Sequence, residues 1–173
     1  MYKEELETKD LILSGLFAAM LCISSVIIIP IGTIPVTLSV FAIALISITL
    51  NTKCAFFSIV VYIFAGLLGL PVFAGFNSGF SALIGPSGGY IWSYLFFPLI
   101  AGKRKQAASK ATIMLRLSLA MALMYIMATV QFVIVQSVTF YQAALVCVLP
   151  FIIFDIAKIF LATIISDRLQ KIA

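Results

Sequence analysis

Six long apolar stretches, joined by connections too short to fold alone, leave this chain few architectures. They cover residues 11–29, 36–50, 54–70, 88–101, 112–136 and 143–165. Continuous runs of this kind exclude a membrane β-barrel, whose strands alternate in polarity and stay near ten residues. Helices satisfy their own backbone hydrogen bonds in lipid, so helices are what such runs must become. The expectation is an all-α polytopic membrane protein, with residues 1–173 forming a single membrane domain, a bundle of six transmembrane helices. The second and fourth stretches fall short of the ~20 residues of a full span. They must borrow flanking residues or be sheltered by neighbouring helices. A chain that is 64% hydrophobic and 10% charged, with mean hydropathy +1.23, is not water-soluble. The first stretch has no small-residue cleavage site and reads as a retained span, not a signal peptide.

Basic residues set the orientation. Lys3 and Lys9 precede the first stretch and Lys53 sits in the second connection. Lys103, Arg104, Lys105 and Lys110 occupy the fourth connection, and Arg168 and Lys171 follow the last stretch. The connections near 30–35, 71–87 and 137–142 carry no charge. The positive-inside rule then places both termini in the cytoplasm. Arg116, early in the fifth stretch, can snorkel to the same side. The net charge of +5 is accounted for as an insertion signal and gives no reason to invoke nucleic acid.

One pair of charges breaks the pattern. Asp155 and Lys158 lie within the last stretch, which has no other charged residue. At ~1.5 Å per helical residue, Asp155 comes near mid-membrane. A charge there costs roughly 2.5–3.5 kcal/mol on insertion scales, and such residues mark function more often than structure. Spaced i, i+3, the two side chains share a helix face and set one acceptor beside one donor. The competing reading is a mutually neutralising structural pair.

The longest uncharged connection is equally unusual. From Leu70 to Tyr90 it holds five glycines and two prolines, with aromatic residues at Phe73, Phe76, Phe80 and Tyr90. Contorted backbone at membrane depth is tolerated only against protein or a cavity, so this loop is expected to pack down onto the bundle. Gly85-Pro86-Ser87-Gly88-Gly89-Tyr90 leads straight into the fourth helix, where free backbone N–H groups suit an anionic or carbonyl ligand.

Several chemistries are disfavoured. Gly85-Pro86-Ser87-Gly88 fits the GxSG pattern of intramembrane serine proteases, but the chain has no His to activate the serine. No Gly-x4-Gly-Lys-Ser/Thr occurs, so any ATP hydrolysis must come from another subunit. Cys22, Cys54 and Cys147 stand singly, without metal-ligand spacing, and read as small buried hydrophobes. The chain is read as a non-enzyme, with no metal and no cofactor.

Leu70-Pro71-Val72-Phe73-Ala74-Gly75 followed by Gly85-Pro86-Ser87-Gly88-Gly89-Tyr90 resembles the signature of the BioY family, the biotin-binding S components of energy-coupling factor (ECF) transporters. Ile34-Pro35-Val36-Thr37-Leu38-Ser39 is similar to the family's VPITLQ segment, and Pro150-Phe151 with Asp155 and Lys158 to its PF…D…K segment. Two departures stand out. Ser39 replaces the family's Gln, and Ile91-Trp92-Ser93-Tyr94 is bulkier than the small-residue pattern at that place. The resemblance implies a subunit of the bacterial plasma membrane that binds biotin from outside. It implies ligand contacts from Asn77, Tyr90, Asp155 and Lys158, with the backbone of Gly88 and Gly89 nearby. Asp155 suits the ureido N–H groups. Lys158 suits the ureido oxygen, or the carboxylate if the ligand lies the other way round, and Asn77 offers both donor and acceptor. Thr37, Ser39, Phe73, Trp92 and Phe151 are expected as pocket walls.

Two ladders of small residues on the first helix, Ser14/Ala18/Cys22 and Gly15/Ala19, permit close helix approach in lipid. They pack either within the bundle or, as the resemblance implies, against a transmembrane coupling protein that works with two ATP-binding-cassette ATPases. On that reading the whole bundle tips in the membrane to release biotin inward. Two other functions remain: an S component for a different vitamin, favoured by Ser39, and a stand-alone ion-coupled carrier using Asp155.

Overall fold

The computed structural model describes residues 8–30, 34–102 and 109–172, with side chains as far as Arg168. Lys3, Lys103, Arg104 and Lys105 lie outside the described residues, as does the side chain of Lys171. The described chain is helical almost throughout. Helix α1 covers Thr8–Val26, α2 Ser39–Thr49 and α3 Thr52–Leu67. Helix α4 covers Gly79–Ile84, α5 Gly88–Ser93 and α6 Phe97–Ala101, with a tight 3-10 turn between the last two. Helix α7 runs from Lys110 to Gln136, α8 from Phe140 to Cys147 and α9 from Ile152 to Ile172.

Among the described residues, α1 and α7 are each long and apolar enough to cross a membrane, and α8 with α9 makes a third such unit. Helix α2 is the shortest of the expected spans, and it is sheltered. Almost every one of its residues is buried, so it is apolar all round, as an interior helix must be. It packs chiefly on α9, while α1 packs on α3 and α5 on α7. Large apolar side chains such as Leu16, Ile126, Ile134 and Ile153 cover the outside, where lipid replaces water as their solvent.

The structure departs from the sequence reading in three places. The first helix stops at Val26, and the second begins at Ser39 rather than 36. Between them, β1 (Ile28–Ile29) pairs antiparallel with β2 (Val36–Thr37), Ile28 opposite Thr37. Here Pro30 and Pro35 block helix continuation, and the apolar β-branched residues beside them accept an extended backbone. The Leu70–Gly85 loop contains a short helix, α4, that its glycines concealed. Phe73 and Leu83 from this loop are buried as expected, but Phe76 and Phe80 face outward. The last stretch is not one helix. It breaks between Cys147 and Ile152, and α8 and α9 meet at 47°. Pro150 causes the break, because it has no N–H to donate to Val146 and its ring crowds that carbonyl.

The two small-residue ladders separate. Ser14 and Ala18 are buried, and Ser14 Oγ donates to the carbonyl of Cys54 on α3 at 3.2 Å. Cys22 is half-buried against the same core. Ser14 and Ala18 therefore pack inside the bundle, which corrects their assignment to partner docking, while Cys22 is only partly covered. Gly15 and Ala19 face outward. At the charged end, Lys110 at the start of α7 meets Asp167 near the end of α9 at 3.0 Å.

Helices α5 and α7 cross closely at Gly89. A Cβ there would sit 2.6 Å from the carbonyl oxygen of Met127 and 2.7 Å from Cα of Ala128. Gly89→Val should therefore force the two helices apart and cost about 1–3 kcal/mol. Gly15→Ala meets nothing within 4 Å and should stay within about 0.5 kcal/mol of the parent. Unfolding of the purified protein in detergent checks both, and equal stability of the two variants would refute the packing role of Gly89.

Candidate functional site

The helix break is where the site begins. With the α-helical pattern interrupted, the Phe151 amide bonds Val148 instead of reaching back to Cys147. The freed Cys147 carbonyl accepts a hydrogen bond from the Tyr90 hydroxyl at 2.5 Å. Tyr90 thereby ties α5 to the α8–α9 corner, and its ring lies 5.9 Å from that of Phe151. Helix α9 restarts at Ile152, so Asp155 falls in its first turn. The sequence reading put Asp155 well inside an unbroken helix. In the structure its carboxylate instead profits from the positive end of a helix dipole.

Asp155 is 1% exposed and Lys158 9% exposed, which makes them a buried ion pair. Lys158 Nζ donates to Asp155 Oδ1 at 2.6 Å. The other carboxylate oxygen, Oδ2, accepts from the Tyr125 hydroxyl of α7 at 2.8 Å. Both oxygens are thus fixed from different helices, and each retains lone pairs for a further donor. Tyr125 was not anticipated from sequence. A signal existed: tyrosines favour the wet membrane interface, so one near the middle of a 27-residue span needs an interior partner.

A cavity of about 240 Å³ opens beside this pair. It gathers Asn77, Tyr90, Asp155 and Lys158 with Thr37, Ser39, Phe73 and Phe151, as the sequence reading expected. Apolar walls with a few fixed polar groups are the ordinary design of a small-ligand site. Phe73 stands edge-on to Tyr62, ring centres 5.4 Å apart. Gly66 on α3 allows this, because a Cβ there would run into the Phe73 ring. Asn77 is exposed at the mouth, its Nδ2 bonded to the Ala74 carbonyl at 2.8 Å. Its backbone carbonyl accepts from the Phe73 amide at 3.0 Å, closing a tight turn through Gly75 at φ 70°.

Three expected contacts are not brought to the cavity. Gly88 and Gly89 face α4 and α7, and their missing side chains permit helix approach, not ligand approach. Trp92 points away. Its indole N–H donates to the Leu83 carbonyl at 3.2 Å, and its ring lies along an outer groove with Ile126 and Val130. The neighbours of these residues, Ser87, Tyr90, Ile91 and Tyr94, take the lining positions instead. In a helix only part of a run faces one side, and the sequence did not reveal which part.

Comparison with known proteins gives a consistent result. The model of the BioY family matches residues 1–173. A probable biotin transporter BioY of Pyrococcus horikoshii is 36% identical over 95% of this chain and 98% of its own length. The biotin transporter BioY of Thermotoga maritima is 33% identical, covering 95% of this chain and 97% of its own. Among solved structures, the S-component for biotin from an ECF-type ABC transporter superposes with TM-score 0.87. That match covers 99% of this chain and 95% of the solved one, at 24% identity, and it supports the fold.

The buried pair predicts a specific stability pattern. Asp155→Ala should cost about 3–5 kcal/mol, because it leaves the Lys158 charge buried without its counter-ion. The double variant Asp155→Ala/Lys158→Met should recover most of that loss. Denaturant unfolding in detergent checks the pattern, and additive losses from the two changes would show that the charges do not depend on each other.

Proposed function

Since the chain belongs to the BioY family, we propose that it is the biotin-binding S component of an ECF-type vitamin uptake transporter, a transport subunit and not an enzyme. The observation that carries this reading is the Asp155–Lys158 pair held at the edge of a cavity with apolar walls. A ureido group presents N–H donors beside a carbonyl acceptor. A carboxylate beside an ammonium is its complement, and the apolar walls from Phe73, Phe151 and Tyr90 suit the fused rings and aliphatic tail. Asn77, Tyr90, Asp155 and Lys158 are the proposed ligand contacts, with Tyr125 orienting the carboxylate. Ligand binding needs no metal or further cofactor.

The protein resides in the plasma membrane as six spans with both termini cytoplasmic: α1, α2, α3, α5 with α6, α7, and α8 with α9. The loop through α4 and the β1–β2 ribbon then lie outside, around the cavity mouth. A transmembrane coupling protein and two ATP-binding-cassette ATPases supply the energy, and the outward face of α1 at Gly15 and Ala19 meets the coupling protein. Transfer inward follows from tipping of the bundle.

Titration of the purified protein with biotin tests the reading. Asp155→Asn should weaken binding about tenfold or more, the scale of a hydrogen bond to a charged group. Riboflavin and thiamine should not displace biotin. Unchanged affinity in a correctly folded Asp155→Asn protein would return the pair to a structural role. Displacement by another vitamin would assign the cavity to that ligand.

A further inference from the structure

The loop that forms one wall of the cavity is held from behind. Helix α4 has only six residues, and a helix cannot satisfy the carbonyls of its own last turn. Gln131, near the C-terminal end of α7, supplies what is missing. Its Nε2 donates to the carbonyls of Leu83 and Gly85, both at 2.8 Å. Carbonyls only accept, so the amide nitrogen must face them, and its two hydrogens match the two bonds. The Trp92 indole N–H adds a third donor, reaching the same Leu83 carbonyl at 3.2 Å. Gly88 leaves room for this junction, since a Cβ there would run into both the Leu83 carbonyl and the Gln131 amide.

The junction lies on the far side of the loop from the cavity. Gln131 and Trp92 line the outer groove with Leu83 and Ile84, and neither lines the cavity. The residues around their acceptors do: Ala82, Gly85, Pro86 and Ser87 all face it. An amide set in an apolar groove is costly unless it is hydrogen-bonded, and these two carbonyls pair it. The bulky segment after Tyr90, which departs from the family pattern, finds a role here. Trp92 braces the loop in place of lining the pocket.

Building on the biotin reading, we infer that Gln131 is a positioning residue for ligand binding. Its two bonds fix the backbone from Leu83 to Gly85, and with it the wall formed by Ala82, Gly85, Pro86 and Ser87. A wall set in place before the ligand arrives need not be ordered by it, so less of the contact energy is lost on binding. Gln131 touches no ligand atom, and its loss lowers affinity without removing a contact. Trp92 reports on the junction, because it is the chain's single tryptophan and shares the Leu83 carbonyl.

Calorimetric titration of the purified full-length protein with biotin, at about pH 8 and about pH 5, tests the role. Gln131→Met keeps the volume and loses both donors. It should bind biotin about tenfold more weakly than the parent at either pH, the scale of two neutral hydrogen bonds. Gln131→Glu should bind still more weakly at the higher pH, where an ionised carboxylate faces two carbonyl oxygens. At the lower pH it should recover severalfold relative to the parent, because a protonated carboxyl regains one donor. The described residues lining the groove carry no titratable side chain that could produce this recovery. Without ligand, Trp92 emission should move to the red in Gln131→Met as the loop leaves its seat. Parent-like affinity in Gln131→Met would overturn the inference, as would a loss in Gln131→Glu that ignores pH. A parent protein that binds no biotin would refute the biotin reading instead. Trp92 emission would then decide by itself whether Gln131 holds the loop, an unchanged spectrum in Gln131→Met ruling it out.

Discussion

A carboxylate and an ammonium buried together in a membrane protein constrain everything around them. Neither Asp155 nor Lys158 is tolerable alone at that depth, and the pair is tolerable only if its geometry is held. Three elements hold it. The i, i+3 spacing on α9 sets the two side chains together, the α9 N-terminus favours the negative one, and Tyr125 on α7 occupies the second oxygen. The same restraint leaves one acceptor and one donor oriented toward the cavity, so structural necessity and ligand recognition use the same atoms.

Pro150 connects this pair to the rest of the bundle. By ending α8 it frees the Cys147 carbonyl for Tyr90, and by restarting the helix it brings Asp155 to a first turn. The glycines of α5 act on the opposite wall. Gly89 lets α5 rest against the backbone of α7, which turns Tyr90, Ile91 and Tyr94 inward. Gly66 allows the Phe73 ring to lie against α3 and close the side below the loop. Each small or irregular residue is placed where a larger or regular one would fill or distort the cavity.

How much of this was legible in advance differed by kind of feature. The apolar stretches located the helices closely, because lipid makes hydrophobic length a direct physical requirement. Asp155 and Lys158 were legible for the converse reason, since a charge in an apolar run is costly enough to be conspicuous. Asn77 and Tyr90 came through family resemblance and Phe73 and Phe151 as expected apolar walls, and these four do line one cavity. Gly88, Gly89 and Trp92 did not, because a motif gives neighbours in sequence without saying which side of the helix each occupies. Tyr125 was missed, as it is an ordinary residue until a partner from another helix gives it meaning.

The sequence by itself determined that this chain is a helical membrane protein with a polar pair inside it, since hydropathy and charge are properties of each segment alone. Tertiary structure decided where the pair points, which aromatic residues enclose it and which hydroxyls face it. Those outcomes depend on helix crossings at glycine contacts and on a proline break that redirects one carbonyl. Such contacts join residues thirty or more positions apart, such as Tyr125 with Asp155 and Tyr90 with Cys147, and no local pattern encodes them.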